Sequence, residues 1–379
     1  MKNRILLTAV LSLFLLIGCC NQGEEYVGKR VEALDSSAWE VSKWISVVDA
    51  PVVTGKTGDM ENNRAADGAN WFVSTVKNEQ KVVSAKWMTA GLGVYEIFVN
   101  GQLIGEEFLK PGYTHYAKTK RSFTYDVTAL FQSAAGAENQ LSAQVTPGWW
   151  ADKIVTPSGQ EGMNGKKCAF RGVLELTYAD GSKKLYGTDL ENWKAGVAGP
   201  VKHAAIFDGE VYDAREPMGF DCADTFAAPE GNTEFKGEIL PSNGAEIYLR
   251  HDLTLSPVNA YLWKGVEGAS EKEFGKVVVT KQYAGGEEMV VRPGETLVVD
   301  FGQNCAAVPS FVFQAAEGTV LTCLPAELLN DGNGAKSRGM DGPEGSVHRD
   351  NLRVPRTGMS LNYTFASSQE AGSYYPHCT

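Results

Sequence analysis

Apolar and polar residues alternate with a period of two along most of this chain, the pattern of strands with one buried face. It is plainest at Val94–Val99, where Tyr95, Ile97 and Val99 interleave with Val94, Glu96 and Phe98. Asn100-Gly101 follows and suits the two positive-φ positions of a type I′ turn, so Gln102 to Gly105 should be the return of a β-hairpin. Lys110-Pro111-Gly112-Tyr113 marks a loop, and Ser122 to Val127 opens another strand. Further alternating runs lie at Trp71 to Asn78, Val82 to Gly93 and Asn139 to Trp150. Phe170 to Asp189 reads as a hairpin turning at Asp180-Gly181. After a stretch poorer in apolar runs (216–252, a linker), a second set of strands starts near Leu253 and continues through the segments YLWKGV, GKVVVTKQY, TLVVDFGQN, PSFVFQAAEGTVLTC and LNYTFAS. Helical periodicity of useful length is lacking. Many short strands with closely spaced turns predict an all-β protein of two jelly-roll-like β-sandwiches, at 39–215 and 253–379, the second incomplete at its C-terminal edge.

Residues 1–19 break the pattern and read as an address. Lys2 and Arg4 precede an apolar run, Ile5 to Ile17, that is short for a bilayer span. Leu16-Ile17-Gly18-Cys19 matches the lipobox of bacterial lipoproteins, which makes Cys19 the lipidated residue and 20–38 a tether. An ordinary secretory signal is the competing reading. The anchor implies a membrane partner and a periplasmic or cell-surface location on a bacterial membrane.

Composition narrows the picture further. The chain has 379 residues and 43% hydrophobic content, enough for about two domains with sizeable cores. A net charge of -11 leaves no electrostatic footprint for nucleic acid. Seven cysteines show no CxxC spacing and are read mainly as buried thiols; the five histidines are scattered. The residues call for no metal and no cofactor.

The hairpin GVYEIFVNG (Gly93 to Gly101), the loop PGYTHY (Pro111 to Tyr116) and the strand SFTYDVT (Ser122 to Thr128) closely resemble, in order and spacing, the N-terminal β-sandwich of bacterial α-L-rhamnosidases of glycoside hydrolase family 78. The segment IFDGEVYDARE (Ile206 to Glu216) is similar to the end of that module, and Glu295 to Phe313 resembles the sandwich that precedes the family's catalytic barrel. The resemblance implies rhamnose-containing glycans as partners and inverting hydrolysis of terminal α-L-rhamnosides by the whole enzyme. It also places the catalytic carboxylates on an (α/α)6 barrel encoded beyond Thr379, so no catalytic residue is assigned here.

Candidate chemistry is confined to a few places. Trp149 and Trp150, with Asp152 and Lys153 beside them, follow a strand in TPGWWADK, where an indole could stack on a pyranose and a polar group could hold its hydroxyls. Core packing is the competing role for one of the two tryptophans. Some modules of the family bind rhamnose with calcium, but Thr146-Pro147-Gly148 departs from their acidic or amide residue beside the glycine. Asp331-Gly332-Asn333-Gly334 looks like half a calcium loop and is better explained as a turn. Asp300 and Asn304 are read as turn caps, and Glu106-Glu107 and Glu287-Glu288 as solvated surface pairs. Three functions fit: the non-catalytic front of a rhamnosidase, a free-standing carbohydrate-binding surface lipoprotein, or a shortened gene product with no function of its own.

Overall fold

The computed structural model describes residues 5–7, 28–48, 50, 68–152, 164–244, 246–283, 287–336, 341–349, 360–366 and 372–374. They form two compact units, one of them 21–212 with 216–249, the other 250–376 with short pieces from elsewhere. Both are built of strands, as the alternation predicts. Among the described residues the α-helix is a single turn, α1 (Gly148–Ala151).

The first unit is a sandwich. Its strands are β1 (Ile45–Ser46), β2 (Ala69–Lys77), β3 (Val82–Leu92), β4 (Val94–Val99), β5 (Gln102–Ile104), β6 (Thr119–Asp126), β7 (Glu138–Thr146), β8 (Ala169–Tyr178), β9 (Lys183–Gly187) and β10 (Trp193–Ala198). One sheet runs β10-β2-β7-β4-β5; the other carries β1-β8-β3-β6, with β9 also paired to β8. Period two decides what each face buries. Phe72 and Val76 of β2, Tyr95, Ile97 and Val99 of β4, and Leu141, Ala143 and Val145 of β7 point to the shared core. Ala85 and Trp87, Phe123 and Tyr125, and Phe170, Leu174 and Leu176 meet them from the second sheet. The outer residues of that second sheet, Met88, Ala90, Leu92 and Val173, are covered by Trp39, Trp44, Tyr116, Trp150 and Phe235.

The β4–β5 hairpin closes as expected, with Val99 opposite Gln102 and positive φ at both Asn100 (50°) and Gly101 (79°). The segment read as a linker, 216–252, is not a free tether. Glu230–Gly231 pairs with β1, Glu238–Pro241 runs parallel beside β6, and Ile247–Tyr248 pairs with Glu107–Phe108. Phe235 between them is buried, so this stretch completes the sandwich's outer layer.

In the second unit, Asn259–Glu267 pairs with both Lys276–Tyr283 and Thr296–Asp300. Tyr261, Val277 and Val298 form a small core against Trp263 and Val347. Val320–Cys323 pairs with Ser360–Thr364, and Phe313, Tyr363 and Phe365 pack ring to ring with centroids 4.5–5.2 Å apart. Of the apolar run Ile5 to Ile17 only Ile5–Leu7 is described, as a strand between Met289–Val291 and Phe311–Ala315. Cys19 and residues 20–27 lie outside the described residues. The rest of the segment read as a tether, 28–38, is not free, since Lys29–Arg30 pairs with β6 and a 3-10 turn starts at Ser36 with Ala38 buried.

Candidate functional site

The loop after β7 is shaped by Gly148. Its φ is +48°, and a Cβ there would sit 2.6 Å from Val94 Cγ2 and 2.8 Å from Val94 N, so glycine alone fits the approach. The turn that follows is α1, and it drives Trp150 inward. Trp150 is 1% exposed, its indole N–H donates to Lys167 O at 2.9 Å, and its ring meets Tyr116 edge-on at 5.7 Å and Phe235 at 6.4 Å. An indole so enclosed offers no face to a sugar. Trp149 stays half-buried on the rim, its carbonyl accepting from Asn164 Nδ2 at 2.9 Å. Asp152 is buried and braces the chain through Oδ2, which accepts Ile206 N–H at 3.0 Å. Lys153 lies outside the described residues.

An exposed aromatic that was not among the sequence candidates stands beside Tyr116. Tyr113 is 60% exposed and stands edge-on to Tyr116, centroids 5.2 Å apart. Exposed Tyr113, buried Tyr116 and buried Trp150 thus form one aromatic file from solvent to core. The available signal was the pair of tyrosines three residues apart in PGYTHY. Trp149 and Tyr113 are the surface aromatics that could stack on a pyranose here.

Under the file lies Lys120, fully buried, with Nζ 3.9 Å from the centre of Tyr116 and 5.4 Å from that of Trp150. Its Nζ has no hydrogen-bond partner among the described residues. Burial holds the amine well below its usual range. Burial likewise pushes the Cys168 thiol up to about 12, helped by the nearby Asp152 charge, so this cysteine is inert at neutral pH. Cys323 is raised to about 11 by burial, whereas Cys305 is exposed, against the expectation of buried thiols.

The reading of Glu106-Glu107 as solvated surface is corrected at Glu107, which is 8% exposed. Tyr125 OH donates to its Oε2 at 2.6 Å, and Arg30 approaches its Oε1 at 3.8 Å. Lys110 Nζ stands 4.0 Å from Oε2 and donates to Ile104 O at 3.0 Å. Burial brings Lys110 down to about 8, with Glu107 partly offsetting it. The sequence hid this because the Arg30 guanidinium and the Tyr125 phenol come from distant strands.

Asp300 caps its turn by accepting Gly302 N–H at 2.8 Å, while Asn304 is exposed. Gly332 and Gly334 have φ of 74° and 75°, the turn chemistry expected of that stretch. Among the described residues no three His, Cys, Asp or Glu side chains gather as a metal site would need.

Residues 80–234 match the family description "Alpha-L-rhamnosidase N-terminal domain", and 274–379 match "Bacterial alpha-L-rhamnosidase concanavalin-like domain". The chain belongs to the bacterial α-L-rhamnosidase family. It is 28% identical over 335 residues to an α-L-rhamnosidase of Streptomyces avermitilis, covering 86% of this chain and 27% of that one. An α-L-rhamnosidase of Alteromonas sp. is 27% identical over 256 residues, covering 67% of this chain and 24% of the relative. The chain therefore spans about a quarter of the length of these rhamnosidases. The crystal structure of the Streptomyces avermitilis rhamnosidase complexed with L-rhamnose superposes with a TM-score of 0.57 at 26% identity, over 83% of this chain and 26% of that chain. The native rhamnosidase of Aspergillus terreus shares the fold, with a TM-score of 0.65 at 22% identity over 91% of this chain and 34% of that chain.

Proposed function

We propose that this chain is the non-catalytic β-sandwich region of an α-L-rhamnosidase that hydrolyses terminal α-L-rhamnosides with inversion. The reading is carried by the order of the two matched regions, N-terminal domain then concanavalin-like domain, along 80–379. In this role the sandwiches scaffold a catalytic part and contact its glycan, with Trp149 and Tyr113 as the contact surface. Two observations support that assignment of the surface: Tyr113 is exposed, and Trp149 is half-buried beside a buried aromatic support. Trp150 and Asp152, enclosed and hydrogen-bonded, act as that support. Cys19 in the lipobox carries the acyl anchor, and several acyl chains on one residue make a stable attachment.

The purified chain should release no rhamnose from an aryl α-L-rhamnoside. Turnover that survives a contaminant control overturns the non-catalytic assignment. Titration with L-rhamnose, followed by tryptophan fluorescence, should show binding that weakens at least tenfold in Trp149→Ala and in Tyr113→Ala. Equal affinity in both variants removes the glycan contact from this surface.

A further inference from the structure

The register of the first sandwich separates its two ends. Lys29 and Arg30, the first paired residues among those described in this unit, lie opposite Asp126 and Tyr125 of β6. Asp126 in turn lies opposite Lys86 of β3. The other end of β3 is Leu92, opposite Ala169, where Trp150 bonds to Lys167 and the Tyr113–Tyr116 loop packs. Six residues of strand, about 20 Å, divide Lys86 from Leu92.

The chain also leaves the sandwich at the Arg30 end. Glu238–Pro241 runs parallel to β6 from Thr119 toward Ser122, and Ile247–Tyr248 then pairs with Glu107–Phe108. Arg30 fastens the two crossings together, donating to Glu246 Oε1 at 2.6 Å and to Ser242 O at 2.7 Å. Its guanidinium also lies over the Phe123 ring, 4.9 Å from the centre.

We infer that the anchored chain stands on the Arg30 end of its first sandwich and turns the Tyr113–Trp149 end away from the membrane, toward glycans arriving from outside. The inference rests on the Cys19 anchor and the glycan surface proposed above. Residues 20–28 reach at most about 30 Å, so the anchor holds Lys29 within that distance of the bilayer surface. The tether holds the Lys29 end, and the other end, about 20 Å further along β3, lies farther from the bilayer on average.

The test uses the full chain with its own leader, lipidated in a bacterial host and reconstituted in phosphatidylethanolamine–phosphatidylglycerol vesicles that carry an acceptor dye on the headgroups. A donor is placed by non-natural amino acid at exposed Lys29 or at exposed Ala117 beside Tyr116. Energy transfer from position 29 should be at least threefold stronger than from position 117. Vesicle-bound protein with equal or reversed transfer overturns the orientation alone. Protein that fails to float with vesicles, or that floats equally well as Cys19→Ala, overturns the anchor and the orientation with it.

Discussion

Removing the Trp150 indole would empty a site enclosed by Tyr116 and Phe235 and strand the Lys167 carbonyl that it satisfies. Trp150→Ala should therefore cost about 3–5 kcal/mol, read as a fall in the chemical denaturation midpoint. Trp149→Ala, on the rim, should leave stability within about 1 kcal/mol. Lys110 makes stability depend on pH. Its folded value, about 8, lies below the 10.5 of the unfolded chain, so between pH 10.5 and 8 the unfolded chain takes up a proton that the folded one refuses. Stability is lost as pH falls through that window, by about 3 kcal/mol, and is flat below it. Lys120 adds a loss of the same sign through its own lowered value. Lys120→Met keeps the packing and removes an amine with no hydrogen-bond partner among the described residues, so it should raise the midpoint at pH 7 and shrink the pH dependence. A lower midpoint would mean that the amine's contact with the Tyr116 ring outweighs its desolvation.

The β4–β5 hairpin is the element most legible in the sequence, since alternation and Asn100-Gly101 are both local signals. Less visible is how firmly its turn is held. Asn100 Nδ2 donates to Leu130 O at 2.8 Å and Asn139 Oδ1 at 3.0 Å, and its Oδ1 accepts Gln140 N–H at 2.9 Å. Asn100→Gly keeps the positive φ but loses those bonds, so thermal unfolding should show a net destabilisation of about 1–2 kcal/mol. α1 was not legible. TPGWW looks like an exposed loop until Tyr116 and Phe235, well separated in sequence from Trp150 and from each other, close over the indole. Glu107 reads as surface for the same reason, because Arg30 and Tyr125 reach it from other strands. Pattern reports which face of a strand is buried; it does not report which distant side chain covers a loop.

Across the whole molecule, the first unit ends later than the hydrophobic pattern suggests. A fragment of residues 28–249 should melt cooperatively, whereas 39–215 should melt lower or aggregate, because it lacks Phe235, the strand beside β6 and the Arg30–Glu246 pair. Equal melting of the two fragments by calorimetry would make the outer layer dispensable. The second unit contributes its own smaller cores around Tyr261 and Phe313. The fastening of Arg30 to Glu246 and Ser242 has one more consequence. A domain whose two chain ends are fastened side by side can be spliced into a surface loop of another protein without stretching its host, or reconnected with new termini elsewhere, since neither operation has a gap to bridge. The first sandwich is in that sense a portable cassette.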